Sequence, residues 1–486
     1  MSRPLLLIHG YSAEGLDFTN LYWALVDRKI DVKLLNVGNY ISLNNEITIE
    51  DIAEGLQRAI SLTELNTSED FDAIVHSTGM LVVRAWLAHQ KIAPGENQRL
   101  KRLKHLIGVA PATWGSPQAH KGRTWLGALV KGSKTPGPDF LNAGDLVLDG
   151  LELGSKFTWD LAHADLLGPA PYFGTGADTP YAAVFIGNTP YKGIAAVADD
   201  PGTDGTVRWS GCGLNTRKIT LDLTQTPTDP KGQPRDRVTI SEWADKSRLN
   251  VPILAVDQRD HGSLVSDPDP GMVDRIVTFL EIGDIAGYNQ WLAEAQTWST
   301  PAREKMLESK GHLFRFWETK DLDGWQQFVV HARDAHGDPV KDYMIEVFEQ
   351  GPAGPDGETW HRAEEISVDV HAYAADPSYR CLHVQLPKGI TTTPRPMQIR
   401  FQASTGTDVI AYQGYGSDNV KTEMRADKDP VTIDITGALE KENFTLFYPF
   451  TTTLVEVVLN RVPYPFDKVE GIFEWLPPFV RAPKTE

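Results

Sequence analysis

The stretch Phe71-Asp72-Ala73-Ile74-Val75-His76-Ser77-Thr78-Gly79-Met80-Leu81-Val82-Val83 decides how this chain is read. Residues 71–75 are a short, mostly apolar run of strand character, and Gly79–His89 carries the apolar spacing of a helix. Ser77 stands at their junction. A sharp strand-to-helix turn lifts a serine hydroxyl clear of the backbone, and the helix N-terminus behind it favours negative charge developing nearby. Ser77 is therefore a candidate nucleophile. The competing reading is a serine that merely caps the helix after it.

Outward from this junction the same alternation repeats. Apolar runs near residues 5, 32, 105, 182 and 251 join the run near 72 as six expected strands. Helical stripes lie between them at Gly15–Arg28 and Met272–Glu281, and Thr48 with Asp51 forms a capping box that opens Ile49–Leu62. Apolar strands alternating with amphipathic helices predict an α/β fold, a parallel sheet covered on both faces.

Val75-His76-Ser77-Thr78-Gly79 resembles the G-x-S-x-G elbow of the α/β-hydrolase superfamily, in its lipase and esterase branch, with Val75 where the first glycine is usual. Leu5–Ile8 followed by His9-Gly10-Tyr11-Ser12 resembles the family's oxyanion loop. A tetrahedral intermediate needs about two N–H donors already aimed at its oxygen. The resemblance assigns them to the main-chain N–H groups of Tyr11 and Thr78, and His9 is read as structural. In this family the triad follows the chain order Ser, Asp or Glu, His. Pro201-Gly202-Thr203-Asp204-Gly205-Thr206-Val207 looks like its D-G-x-V acid loop, which nominates Asp204 over Asp199, Asp200, Asp257 and Asp260. Val251–Val256 precedes a loop, Asp257–Val265, where the family carries its base, and this loop holds His261. An imidazole can take a serine proton near neutral pH. Gly115-Ser116-Pro117 is similar to a motif that often follows the next strand in lipases. The likeness covers about residues 1–285. It implies a serine hydrolase cleaving carboxylic esters through an acyl-enzyme on Ser77, with no cofactor and no metal. An acyltransferase or amidase using the same triad is the alternative, and a catalytically silent hydrolase-fold binding protein is another.

Between residues 111 and 181 the alternation fails, in a segment rich in Gly, Pro and aromatic residues. It is too long for a simple loop and is read as a cap or lid inserted in the domain spanning 1–285, with an ordinary packed subdomain as the alternative, since aromatics are first of all core material. Trp114, Trp125, Phe157 and Trp159 are its candidate pocket residues, suited to an apolar acyl group. A helical connector is expected over 286–310. Period-2 runs follow: Gln327–Ala332, Tyr343–Phe348, Ile366–Ala372, Arg380–Leu386, Gln398–Gln402, Val431–Ile435 and Thr451–Leu459. Turn signals separate them, so residues 311–465 predict an antiparallel β-sandwich-like domain, with a tail over 466–486.

The chain has 47 Lys and Arg against 65 Asp and Glu, a formal charge of −18, which argues against nucleic acid as a partner. Cys212 and Cys381 are the only cysteines. Two so far apart exclude a disulfide framework and a Cys-rich zinc site, and both are expected to be free thiols. No stretch reaches the roughly 18–20 apolar residues of a membrane span. No signal-peptide core is evident at the start of the sequence, so the expected location is cytoplasmic.

Overall fold

The computed structural model describes residues 3–8, 18–35, 45–62, 65, 70–88, 97–119, 145–168, 172–173, 178–190, 201–235, 237–241, 251–310, 319–353, 357, 359–363, 366, 368–392, 396–407, 409–417, 420–424, 430–436, 446–463 and 476–478. All six expected strands form, as β1 (Leu5–Ile8), β2 (Val32–Leu35), β3 (Phe71–His76), β4 (Leu103–Val109), β5 (Tyr181–Gly187) and β8 (Ile253–Val256). They make one sheet in the order β2-β1-β3-β4-β5-β8, with every neighbouring pair parallel. The central strands are apolar throughout because helices cover both faces. β3, for instance, is buried at all six positions.

Helices α1 (Thr19–Val26), α2 (Ile49–Ser61), α3 (Gly79–Ala88), α4 (Gln98–Arg102), α5 (Asp145–Leu151), α6 (Lys156–Asp165), α7 (Ser263–Ser266), α8 (Pro270–Leu280) and α9 (Ile285–Lys305) accompany the sheet. The capping box read at α2 is present, with the Thr48 hydroxyl accepting from the Asp51 N–H and the Asp51 carboxylate accepting from the Thr48 N–H. Every residue of α3 is buried, Arg84 included. The Arg84 guanidinium forks onto Asp165 of α6 at 2.8 and 3.0 Å and donates to the Thr113 carbonyl, which satisfies a charge deep in the core. The described half of the 111–181 insertion is therefore anchored in the interior at α6. The span expected as a connector holds the long helix α9, capped by Asp284 and packed on the core of the parallel sheet through Tyr288, Trp291 and Ala295. No helix among the described residues is long and apolar enough to cross a membrane.

The second sheet departs from expectation in its membership. The seven runs read after residue 310 appear as β10 (Thr319–Asp334), β11 (Asp342–Gln350), β13 (Val368–Ala372), β14 (Tyr379–Pro387), β15 (Met397–Ser404), β18 (Val431–Asp434) and β19 (Thr451–Pro463). Short strands β9 (Glu308–Lys310), β12 (Trp360–Arg362), β16 (Ile410–Tyr415) and β17 (Lys421–Met424) complete this part. Two more strands, β6 (Thr216–Asp222) and β7 (Val238–Ser241), lie within the 1–285 span yet join the C-terminal sheet, β6 pairing parallel with β19. Among the described residues the larger sheet has nine strands around the path β13-β14-β10-β19-β16-β17, and a four-stranded sheet β12-β11-β15-β18 stacks on it. The β10–β19 and β19–β6 pairs are parallel, so the sandwich is not purely antiparallel. Its central strands come from distant parts of the chain, and no hairpin fixes their direction.

Alternation along these strands divides the sheet into two faces. Val330, Ala332, Val384, Leu386, Val457, Leu459, Ile219 and Leu221 face the four-stranded sheet and form a second core. On the opposite face Trp325, Val329, Tyr379, Cys381 and Leu454 merge into the core of the parallel sheet.

Candidate active site

Ser77 has φ +52°, a left-handed conformation that costs a non-glycine residue energy and is held only where the surroundings fix it. Three hydrogen bonds do so. The Ser77 N–H donates to the Val109 carbonyl at 3.3 Å, and the Ser77 carbonyl accepts from Ala112 at 3.0 Å and Met80 at 3.3 Å. The strand-to-helix turn read from the sequence is thus built as expected, although Val75 replaces the usual glycine. Val75 pairs with Gly108 on β4, and a Cβ at Gly108 would stand 2.8 Å from Met80 Cε and 2.9 Å from Pro111 Cγ. The close approach of α3 to the sheet is supplied by that neighbouring glycine. Thr78, the expected oxyanion donor, is buried at the start of α3. Tyr11, the other donor, lies outside the described residues, as do His9 and Gly10.

His261 follows β8, at the C-terminal edge of the sheet where Ser77 also stands. The Nε2 of His76, the residue before the serine, donates to the His261 carbonyl at 3.1 Å, and the two rings lie 4.7 Å apart. These contacts tie the base loop to the serine turn.

Asp204 is fully buried. Its Oδ2 faces His261 Nδ1 at 3.1 Å, while Oδ1 accepts the N–H groups of Thr206 and Val207 at 3.0 and 2.9 Å. The His261 N–H also donates to the Asp204 carbonyl at 3.0 Å. A carboxylate so held can fix the imidazole tautomer with Nε2 left for proton exchange. Its rivals are engaged elsewhere. Asp257 pairs with Lys305 at 2.6 Å and accepts from Asn188, and Asp260 accepts the Ser263 N–H at the start of α7. Asp199 and Asp200 lie outside the described residues.

Of the candidate pocket aromatics, Trp114 is buried, donates Nε1 to the Gly213 carbonyl and lies beneath Arg84. Trp159 is buried against His331 and Tyr379, and Phe157 is half-buried on the same core. Those contacts are with the scaffold. Trp125 lies outside the described residues. Cys212 and Cys381 are free and buried. Burial raises the Cys212 thiol pKa and pushes that of Cys381 up to about 11, so neither is a ready nucleophile.

Sequence reading missed the surroundings of the acid loop. Ser116 donates its hydroxyl to the Thr206 carbonyl at 2.6 Å, which gives the Gly-Ser-Pro motif a physical role as a brace. Gln118 donates to the Gly205 carbonyl at 3.3 Å. From the β domain, Asp369 pairs with Arg208 at 2.6 Å and the Thr452 hydroxyl donates to the Ser210 carbonyl at 2.9 Å.

No protein-family model matches the chain, and no curated protein sequence matches it. Solved structures do. Phospholipase PlaB from Legionella pneumophila in complex with thio-NAD superposes with a TM-score of 0.71 at 18% identity, covering 95% of this chain and 94% of that one. A second structure of phospholipase PlaB from Legionella pneumophila gives 0.70 at 19% identity with the same coverage. At such identity the likeness speaks to fold, and it extends over both the parallel sheet and the β domain. The chain has the α/β-hydrolase fold, extended by a C-terminal β-sandwich domain.

Proposed function

We propose that the protein is a serine hydrolase of carboxylic esters, with Ser77 as nucleophile, His261 as general base and Asp204 as the acid that orients it. The observation that carries this reading is a linked arrangement. Ser77 stands in a left-handed turn, its neighbour His76 bonds the His261 backbone at 3.1 Å, and His261 Nδ1 meets Asp204 at 3.1 Å. Asp204 supports His261, and the His261 loop is bound to the residue before Ser77, an arrangement that suits acyl transfer.

In the reaction, Ser77 Oγ attacks the ester carbonyl while His261 Nε2 takes its proton. The Thr78 N–H, at the start of α3, stabilises the oxyanion together with Tyr11. Asp204 stabilises the imidazolium, which then protonates the departing alcohol. Water, deprotonated by the same imidazole, attacks the acyl-enzyme, releases the acid and restores Ser77. The Legionella phospholipase motivates phospholipid carboxylic esters as substrates to try beside simple apolar acyl esters.

The test is hydrolysis of a p-nitrophenyl ester series and of phosphatidylcholine vesicles, with a fluorophosphonate probe to find the labelled residue. Wild type should turn over and label at Ser77. Ser77→Ala should abolish labelling and lower kcat by about 10⁶-fold, as for other serine nucleophiles. Undiminished turnover in that variant refutes the assignment.

A further inference from the structure

The face of the large sheet that meets the acid loop carries a buried polar row. One register row crosses five strands: Asp369 on β13, His383 on β14, Gln327 on β10, Thr452 on β19 and Thr216 on β6. Four of these five polar side chains are buried, Asp369 being the exception. Arg208 Nε, Ser210 Oγ, Gln327 Oε1 and His383 Nε2 are buried with no partner among the described residues. A surface selected only for stability would not carry such atoms, because each costs more than an apolar replacement. Departures of this kind concentrate where structure serves function.

What the row and its flank touch is the acid loop. Gly202, two residues before Asp204, has φ +77°, and a Cβ there would fall 2.6 Å from Trp325 Cδ2, 2.7 Å from Trp325 Cε3 and 2.9 Å from His383 Cε1. The Trp325 and His383 rings stack at 5.0 Å and 23°, with Gly202 pressed against both. Trp325 also meets Trp209 edge-on at 6.2 Å. Trp209 donates its backbone N–H to the Gly202 carbonyl at 2.9 Å and its Nε1 to the Gly187 carbonyl at 3.0 Å. Gly187 ends β5, where a Cβ would meet the Arg259 carbonyl of the base loop at 2.1 Å. Trp325 Nε1 is itself fixed on the Met306 carbonyl at 3.3 Å. Burial and the nearby Arg208 charge keep His383 neutral, so the stack brings no charge of its own to the site.

We propose that Trp325, backed by His383, is a positioning residue for the proposed ester hydrolysis: the β domain sets the place of the Asp204 carboxylate through Gly202. This inference rests on the triad reading above. It makes the β domain part of the catalytic apparatus without touching substrate. Misplacement of such a group by about 1 Å costs on the order of 10²-fold in rate.

The experiment compares Trp325→Leu and Trp325→Phe in the full chain, each alone and combined with Asp204→Asn, using p-nitrophenyl butyrate. Trp325→Leu should lower kcat about 10- to 100-fold with KM nearly unchanged, and Trp325→Phe, which keeps a flat ring, should recover most of the loss. In the Asp204→Asn background Trp325→Leu should change kcat by less than about twofold, since the group it positions has lost its charge. Equal losses in both backgrounds, or unchanged kcat in a cooperatively melting Trp325→Leu, overturn the proposal. If Trp325→Leu does not fold, His383→Gln enters the same cycle with the same expectations. An Asp204→Asn variant as fast as wild type would instead strike at the triad assignment, which separates the two failures.

Discussion

Ser77 and Asp204 flank the His261 loop at the C-terminal edge of the parallel sheet, Asp204 by its own bond and Ser77 through its neighbour His76, yet different parts of the chain hold them. Ser77 is fixed by its own strand and helix and by the next strand, through Val109, Ala112 and Gly108. All of these lie within about 35 residues of it. Asp204 sits on a loop clamped from one side by Ser116 and Gln118 and from the other by Trp325, Asp369 and Thr452, the last of these nearly 250 residues away. A nucleophile needs a strained but local turn. A loop with little regular structure of its own needs walls, and here a second domain supplies them.

The largest effect that can break this comparison is at the acid itself. Asp204→Asn should keep the fold, because an amide oxygen can still accept the N–H groups of Thr206 and Val207. It should lower kcat by about 10⁴-fold by presenting the wrong partner to the imidazole. A loss under tenfold, read from steady-state kinetics, would mean that the clamped loop is scaffold only.

A smaller effect tests the local side. Gly108→Val places two branches where Met80 and Pro111 already stand, so the variant should lose about 1–3 kcal/mol in urea unfolding. The slower fluorophosphonate labelling of Ser77 that follows should persist in the Asp204→Asn background, unlike the effect of Trp325→Leu. Coupling to Asp204 would show that the two sides are not independently held.

The smallest prediction concerns the contact between α6 and the large sheet. His331 stacks on Tyr379 at 4.0 Å beside Trp159, and burial lowers its pKa from 6.5 to about 4. The unfolded chain therefore takes the proton first. Stability is fully present above pH 6.5 and is lost as pH falls toward 4. Burial lowers His163 and His383 as well, with the same sign. Glu456, whose bonds to Arg333 and Lys218 hold it low despite burial, adds its own loss only below its ordinary value near 4.5. The urea midpoint should thus fall between pH 7 and pH 5. His331→Phe, which keeps the stack, should reduce that fall by about 1 kcal/mol after allowance for solvent screening. An unchanged pH slope in the variant would assign the fall to other groups.

Much of this was legible in the residues. Six apolar runs became six parallel strands because strands buried on both faces must be apolar, and that signal is local. The serine turn was legible for the same reason. Strands β6 and β7 were not. Thr216–Asp222 does alternate, but its buried positions are set by β19, which is far away in sequence. β12 has only three residues, β17 (Lys421-Thr422-Glu423-Met424) is almost wholly polar, and in β16 Ile410, Ala411 and Tyr412 follow one another, so none of the three alternates. The insertion's aromatics read as pocket because composition does not say which way a ring points; Trp114 and Trp159 turn inward to scaffold contacts.

The sequence by itself determined the parallel sheet, the left-handed serine turn and the order of the three polar groups, since each depends on neighbours within one or two elements. Tertiary structure alone decided how the Asp204 loop, nominated by its motif, is carried to His261 and what presses on it. Those outcomes depend on side chains brought together across hundreds of residues, and a one-dimensional pattern does not encode which row of a distant sheet will face a given glycine.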